Sequence, residues 1–547
     1  MAKFGAFTFV LHCHLPYCRL SGDRSLGEAW VHKAVAETYV PLLNSLFDLY
    51  HSGIPARLTL DLTPILCEQL ADKEVKEHIL AYLIDTQARA EADVSRFLAA
   101  GELQRARLAE WYLDWYATIT ESFVHRYRGD VVGAFRRLQD LGVIEIVTST
   151  ATHAYLPSLA SNENVSAQLH VAARTHTRHF RRMPRGVWLP ESAYRPGLEA
   201  HLSRETLGFR FILTDARPLM HGRVVGCTAG YSLSESGSLG QHYTVACDGT
   251  ALCPGSTFQP YYIGTDGNSA HSGVAIIAGN ERAVAQVSRL EESYIRDPVY
   301  RDFHRHDAES GLQYWRNADP ADCLGCLDEW EPKQAQQRTS EHARHFTRLV
   351  TDLLEDYANR DGRYGLLCAG FSAELFGHRW FEGVDWLRET LQLLSESEKV
   401  ELATAGDFLE RHPPDRVLAL SATPLGQGDA PTSKEDGPLQ ALWQAVNQAE
   451  QRMTAFARRF RDQASVEREL LLAQLARENL LMQSSDWEQL ITTRRATEYA
   501  LQRFNTHLQR FNQLADALEH NRYDVHWLSD LYQDDKVFPD LDWRFWA

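Results

Sequence analysis

The chain has 547 residues, 44% of them hydrophobic and 24% charged, which excludes a disordered polymer and leaves room for one large domain and at least one smaller one. Its 73 acidic residues outnumber the 56 basic ones for a formal net charge of -17, so phosphate backbones and anionic membrane surfaces are repelled at long range and nucleic acid is not an expected partner. No run of roughly 18 apolar residues occurs, which excludes a membrane-spanning helix.

Taken in chain order, the first predicted element is a strand from Phe7 to His12; the residues before it lack a small-residue cleavage site, so this apolar start reads as a strand and not as a signal peptide. Further short β-rich runs follow at Arg57 to Leu62, Ile144 to Ser149, Gly186 to Pro190, Phe209 to Thr214, Val274 to Ala278, Leu366 to Phe371 and Val400 to Thr404. Helix-forming stretches separate them, which predicts parallel pairing and an α/β fold. His12, His14, Asp61, Thr148, Glu191, Asp215 and Ser372 all fall at or just past the C-terminal end of a run, the rim on which a β/α barrel builds its site.

Between the strands, residues 68 to 138 are rich in Ala, Leu, Glu and Arg and too long for one crossover, so a helical insertion is expected there. Residues 218 to 272 carry many Gly, Ser and Thr and read as an irregular excursion over the rim, and Glu341 to Leu354 reads as a helix. Residues 1–411 are thus expected to form the barrel, 412–438 a linker rich in Pro, Gly and Ser, and 439–547 an α-helical C-terminal domain. In that last region Leu439, Leu442, Trp443, Val446, Ala449, Met453, Phe456 and Phe460 share one helical face, as do Leu501, Phe504, Leu508, Phe511, Ala515 and Leu518. Nine scattered cysteines, an odd number, predict a reduced, cytoplasmic protein, and the lone pair Cys323 and Cys326 has no second ligand pair near it that would make a zinc knuckle.

Glu191 follows the Gly186 strand in a segment that includes Trp188, Pro190, Tyr194, Arg195 and Pro196. A carboxylate flanked by aromatics at a barrel rim suits sugar chemistry, in which rings stack on sugar faces while the acid meets the anomeric carbon; composition alone reads the same residue as a surface glutamate. His12 and His14 alternate across Cys13 and face one side, where they suit either a metal or sugar hydroxyls.

Several segments in order carry a resemblance: His12-Cys-His14-Leu-Pro-Tyr17, Ile146 to His153, Trp188-Leu-Pro-Glu191-Ser-Ala-Tyr194, Thr214-Asp215-Ala, Phe303-His-Arg-His-Asp307, Glu341-His-Ala-Arg-His345, Glu374-Leu-Phe-Gly-His378 and Ser485-Asp486-Trp487. Together they resemble the glycogen branching enzymes of glycoside hydrolase family 57. The resemblance implies an incomplete (β/α)7 barrel with a helical C-terminal domain, a retaining mechanism on α-1,4-glucan, no metal and no cofactor. It further implies that Glu191 is the nucleophile and that His12, His14, His153, Trp188, Tyr194, Asp215, His378 and Trp380 line the sugar site.

The acid of that family sits in an aromatic-Asp-x-Glu-Leu-Phe-Gly-His-Trp-Trp segment, whereas this chain reads Phe371-Ser372-Ala-Glu374-Leu-Phe-Gly-His378-Arg379-Trp380. Ser372 stands at the position of the acid, and Glu374 is the nearest substitute. Two tryptophan-bearing elements of the family are also replaced, by Val287-Ser288-Arg289 and by the junction Pro424 to Thr432, and its active-site loop by Glu291 to Pro298. The reading that follows is an α-1,4-glucan-binding, branching-enzyme-like protein of glycogen metabolism with impaired catalysis. Its expected partners are glycogen, amylose or maltooligosaccharide and other enzymes of glycogen metabolism. The alternatives are an active branching enzyme or 4-α-glucanotransferase using an acid such as Glu374, and an interaction protein that keeps the barrel as a scaffold.

Overall fold

The computed structural model describes residues 3–19, 26–204, 206–228, 244–246, 255–265, 270–318, 328–423, 437–462, 465–522 and 524–547. Twelve strands are present among them: β1 Gly5–Cys13, β2 Leu58–Leu62, β3 Ile144–Val147, β4 Gly186–Trp188, β5 Phe211–Thr214, β6 Arg223–Thr228, β7 Thr244–Ala246, β8 Tyr261–Gly264, β9 His271–Ala278, β10 Gly365–Ser372, β11 Val400–Leu402 and β12 Arg416–Ala419. Seven of them run parallel around a barrel in the order β10-β1-β2-β3-β4-β5-β9. A single bridge, Thr148 to Val187, joins β3 to β4. Between β9 and β10 there is no ladder among the described residues; Asn280 N donates to Cys368 O at 2.7 Å just beyond the end of β9. The barrel is therefore incomplete at one seam. Its strands are near-continuous apolar runs because both faces are covered, as in Phe7, Phe9, Val10 and Leu11, each at most 1% exposed.

All eight predicted strands are present, and β11 lies along the first residues of β1 with Gly5 opposite Val400. Two segments depart from expectation. Residues 218 to 272, expected to be irregular, contribute β6, β7 and β8, which with β12 extend the sheet beyond β9 in the order β9-β8-β12-β6-β7. In Tyr261-Tyr-Ile-Gly, Tyr261 and Ile263 supply buried positions, while Val224 and Val225 of Arg223-Val-Val-Gly-Cys-Thr are half-buried, a signal that the Gly and Ser content around them obscures in the sequence. The 412–438 linker likewise opens with a strand, since β12 pairs with both β6 and β8. The junction Pro424 to Thr432, like Cys323 and Cys326, lies outside the described residues. Cys13, Cys67 and Cys368 are buried, free thiols.

The helices Pro64–Ala71, Lys73–Ala100 and Leu103–Glu121 leave the barrel after β2, and Val131–Asp140 returns to β3. Asp72 caps the long helix by accepting from Glu74 N and Val75 N, and Gly101 ends it at φ 75°. This excursion is tied to the segment before the helix Pro332–Asp361 by Tyr112 Oη donating to Gln313 O at 2.5 Å and Tyr314 Oη to Asp93 Oδ2 at 2.7 Å.

The C-terminal region is helical from Gly437–Phe460 through Val466–Met482, Ser485–Thr492, Thr497–His520 and Val525–Asp534. The helix Val466–Met482 is its centre, with Leu471, Leu472 and every residue from Gln474 to Met482 buried. It packs against the barrel helix Asn162–Phe180 across a polar seam in which Asn479 Nδ2, Gln483 Nε2 and Trp546 Nε1 all donate to Asn164 Oδ1. Tyr17, Ile65, Ala151, Ala167 and Val171 of the barrel side join the apolar core of these helices. That seam fixes where the turn Ser484–Asp486 meets the rim. Among the described residues no helix is long and apolar enough to cross a membrane.

Candidate functional site

The rim residues of β1 and β4 converge through stacked rings. Trp188 lies on His12 with ring centroids 5.3 Å apart and an interplanar angle of 14°. His153 stacks on His14 at 3.9 Å and 17°. His12 is held by Nδ1 donating to the fully buried Asp61 Oδ2 at 2.5 Å. Burial pushes the Asp61 carboxyl up, against the pull of His12. His14 Nε2 donates to Asp486 Oδ1 at 2.9 Å, and its Nδ1 lies 3.1 Å from Thr63 Oγ1. Burial opposes the charged form of His14, but Asp486, with Glu374 and Asp61 behind it, outweighs burial and the imidazole is raised above its ordinary value. His153 goes the other way, driven well down by burial and then by the charges of His14 and His12. The pair is thus a protonatable ring lying face to face on a neutral one.

His14, His153 and Asp486 bring three ligand atoms within 4.8 Å of one another. Metal ligation by imidazole uses an in-plane lone pair, and in two rings stacked at 17° those lone pairs lie in near-parallel planes and do not converge on one ion. The donor set fits hydrogen bonding to sugar hydroxyls better than a metal.

Glu191 sits in a turn, Pro190–Ser192, directly after β4. Glu191 and Ser192 both have left-handed backbones, at φ 56° and 54°, a conformation costly for residues with a Cβ. The turn is held from below. Asp215 accepts from Arg217 N at 2.9 Å and from Arg217 Nε at 2.6 Å, Arg217 Nη2 donates to the Glu191 carbonyl at 3.0 Å, and Asp215 N donates to Ser192 Oγ at 3.1 Å. Asp215 therefore braces the glutamate's backbone through Arg217. From the helical region, Ser485 Oγ donates to Glu191 Oε1 at 3.5 Å and lies 2.9 Å from His153 Nδ1. If the serine proton goes to Glu191, His153 supplies the Nδ1 proton to the serine.

Across the rim, Ser372 is the last residue of β10 and pairs in register with His12. Its side chain is exposed, and its Oγ donates to Glu374 Oε2 at 2.6 Å. Glu374 is buried, 8% exposed, and also accepts from Tyr39 Oη at 2.5 Å and from His14 N at 3.2 Å, both on Oε1. Burial, then the Glu374 charge, pushes the Tyr39 phenol well up, so it stays a donor. Tyr39 and Glu37 belong to a π-helical turn, Val35–Tyr39, a geometry that concentrates at functional sites. Glu37 Oε2 accepts from His378 Nδ1 at 2.5 Å, and this bond, against burial, lowers the Glu37 carboxyl. The loop between Glu374 and His378 lies so close to this turn that a Cβ on Gly377, at φ 89°, would stand 1.8 Å from Glu37 O. Phe303 meets the His378 ring edge-on at 5.1 Å.

Most of the sequence-predicted site residues therefore gather at one rim: His12, His14, His153, Trp188, Glu191, Asp215, Ser372, Glu374 and His378. Two do not. Trp380 is 1% exposed and packs in an aromatic core with Tyr300, Trp386 and Tyr294, so it supports the loop and offers no face to a sugar. Tyr194 is 2% exposed, its Oη spent on Glu199 Oε2 at 2.6 Å. Both sit in motifs whose other residues are at the rim, and motif membership alone does not say which way a ring points. Sequence reasoning missed Glu37 and Tyr39, which carry no motif, and did not assign Ser485 and Asp486 to the site although it had marked their segment.

Comparison with known proteins gives a consistent picture. The profile described as Glycosyl hydrolase family 57 matches residues 8–421, and that described as 1,4-alpha-glucan branching enzyme, C-terminal, matches residues 445–546. A 1,4-alpha-glucan branching enzyme of Thermococcus kodakarensis is 34% identical over 554 aligned positions, covering 98% of this chain and 77% of that protein. The crystal structure of that organism's GH57 branching enzyme, in complex with glucose and additives, superposes with a TM-score of 0.85 at 32% identity, over 100% of this chain and 96% of the other. The alpha-amylase AmyC of Thermotoga maritima superposes with a TM-score of 0.84 at 26% identity, over 100% of this chain and 99% of the other.

Proposed function

Since the chain belongs to glycosyl hydrolase family 57, we propose that it is an α-1,4-glucan-binding, branching-enzyme-like protein of glycogen metabolism whose catalysis is impaired at the protonation step. A retaining transfer needs one carboxylate to attack the anomeric carbon and a second to protonate the departing oxygen, then to deprotonate the incoming 6-hydroxyl. Glu191 suits the first role, at the end of a braced turn with its side chain beside Ser485.

The observation that carries the reading is at the second position. Ser372, the cleft-facing side chain at the end of β10, gives its hydrogen to Glu374, and Glu374 already accepts from Tyr39 and His14. A serine hydroxyl is not a useful acid near neutral pH, and a carboxylate holding three donors is turned toward the protein. A positioned general acid is worth about 10² to 10⁴ in rate, or roughly 3 to 5 kcal/mol. A glucan oxygen is a poor leaving group, so the loss belongs at the severe end.

A second reading draws on the same contact. Because Ser372 Oγ is 2.6 Å from Glu374 Oε2 and itself exposed, a protonated Glu374 has a path through the serine to a bound glucan oxygen. Incubation with amylose, debranching with isoamylase and chain-length analysis separate the two. The impaired protein yields no chains released by isoamylase beyond those of a Glu191→Gln control. New branches made by the wild type and abolished in Glu191→Gln would establish the second reading and end the first.

A further inference from the structure

We infer that this cleft still performs the first half of a retaining glycosyl transfer, on α-glucosyl donors whose leaving group departs as a stable anion, and that it then stalls as a covalent glycosyl-enzyme. The inference rests on the reading of Ser372 as the site of a missing acid, and it names the substrate class that such a cleft can use.

Forming the ester needs an attacking carboxylate and a departing group. Glu191 is held for attack by the Arg217 bond to its carbonyl, by the Asp215 N to Ser192 Oγ bond and by Ser485 on its side chain. Among the described residues, what the cleft lacks is the proton for an alkoxide leaving group. Halide and phosphate-ester leaving groups need none. The Glu191 oxygen pair forms the new bond to C1, the C1–F or C1–OP bond breaks, and its electron pair leaves with fluoride, or with hydrogen phosphate from the monoanionic phosphate ester that already carries the proton, with no proton moved from the protein. Ser372 presents an uncharged oxygen of smaller volume to such a leaving group, with no carboxyl that could ionise and repel it.

The second half fails for the same reason as the ordinary first half. Water or a sugar hydroxyl must lose a proton as it attacks C1 and returns the electron pair to Glu191. Ser372 cannot take that proton, and both Glu374 oxygens already accept hydrogen bonds, Oε1 from Tyr39 and His14 N and Oε2 from Ser372. The ester therefore persists. An anionic nucleophile such as azide has no proton to lose and enters from the side of Ser372, giving the α-glycosyl azide.

The test uses the full chain with α-maltosyl fluoride and, in a second arm, α-maltosyl phosphate. With the fluoride we expect a burst of fluoride stoichiometric with protein, an intact mass increased by one maltosyl unit located on the Glu191 peptide, and steady release accelerated by azide at least about tenfold, a partial recovery of the about 10² to 10⁴ that a lost base represents. Release from the phosphate arm as well extends the donor class to phosphate esters; release from fluoride alone confines it to halides. Glu191→Gln should show neither burst nor adduct while still binding maltoheptaose, and the adduct mass on the wild type stands even if that variant misfolds. A wild type that binds maltoheptaose, makes no branches and forms no adduct overturns this inference and leaves the impaired reading intact. A wild type that branches amylose and releases fluoride without a burst overturns both.

Discussion

At the scale of single residues, the proposed function turns on one side chain, and that side chain is woven into its surroundings. Ser372 is bonded to Glu374, which is bonded to Tyr39 and to the backbone of His14. Replacing Ser372 by aspartate sets a second carboxylate against Glu374 within the space of a 2.6 Å contact, and two close carboxylates do not both ionise freely. Ser372→Asp should therefore raise branching of amylose over the wild type but stay about tenfold or more short of an active family member, because the roughly 10² to 10⁴ available from a general acid is recovered only in part. The isoamylase assay measures it, and near-normal branching in the single variant would refute the expectation. The placement of Glu191 and Ser372 at the rim was legible in the sequence because each ends an apolar run inside a recognisable segment. Tyr39 was not, because a tyrosine in a helical stretch has no pattern to distinguish it from the core residues Val35 and Val40 around it.

At the scale of elements, the junction between the end of β1 and the helix Ser485–Thr492 joins barrel to helical region through His14 and Asp486. His14 is also faced by His153, His12, Thr63, Asp61 and Glu374. Its folded-state value is raised above the ordinary 6.5, so protonation is favoured in the folded protein. The stabilisation is fully present below pH 6.5 and is lost as pH rises through the raised value. Asp486→Asn should consequently destabilise the protein most at mildly acid pH, by about 2–3 kcal/mol for a buried charge-assisted bond, with the gap to wild type narrowing on the alkaline side. Thermal unfolding midpoints of both proteins across that range check it, and a gap that widens with pH would contradict it. The strands were legible because apolar runs bounded by Gly and Pro mark buried parallel strands. The face of the helix Thr497–His520 was only half right: Phe504, Phe511, Ala515 and Leu518 are buried as read, but so are Arg503 and His507, whereas Leu501 and Leu508 lie at its flank. His507 Nδ1 donates to Glu478 Oε2 at 2.8 Å, and a polar pair bonded inside a core is invisible to a hydrophobic pattern.

At the scale of the whole molecule, the rim is a shared product of barrel and helices. Ser485 and Asp486 reach Glu191, His153 and His14, while Tyr17, Ile65, Ala151, Ala167 and Val171 lie in the same apolar core as the C-terminal helices. A fragment ending at Thr423 would expose those side chains and lose the contacts of Ser485 and Asp486 to Glu191, His153 and His14. It should aggregate, or bind no maltoheptaose where soluble, as light scattering and affinity electrophoresis would reveal; a monomeric fragment with wild-type affinity would show that the barrel stands alone. Motif order made the barrel and its helical partner legible in the sequence. The added strands β6 to β8 and β12 were not, because short runs amid Gly and Ser become strands only when a neighbouring edge, here β9, is available to pair. The turn Pro190–Ser192 has a consequence at this scale too. Two successive left-handed residues that are not glycine hold on the order of 1–3 kcal/mol each, in a class of molecule whose total margin is about 5–15 kcal/mol. A sizeable share of the protein's resistance to heat is thus tied up in keeping one glutamate's posture, and a laboratory selection for thermal endurance alone would be drawn to rewrite that turn first, erasing the trace of the chemistry it was shaped for.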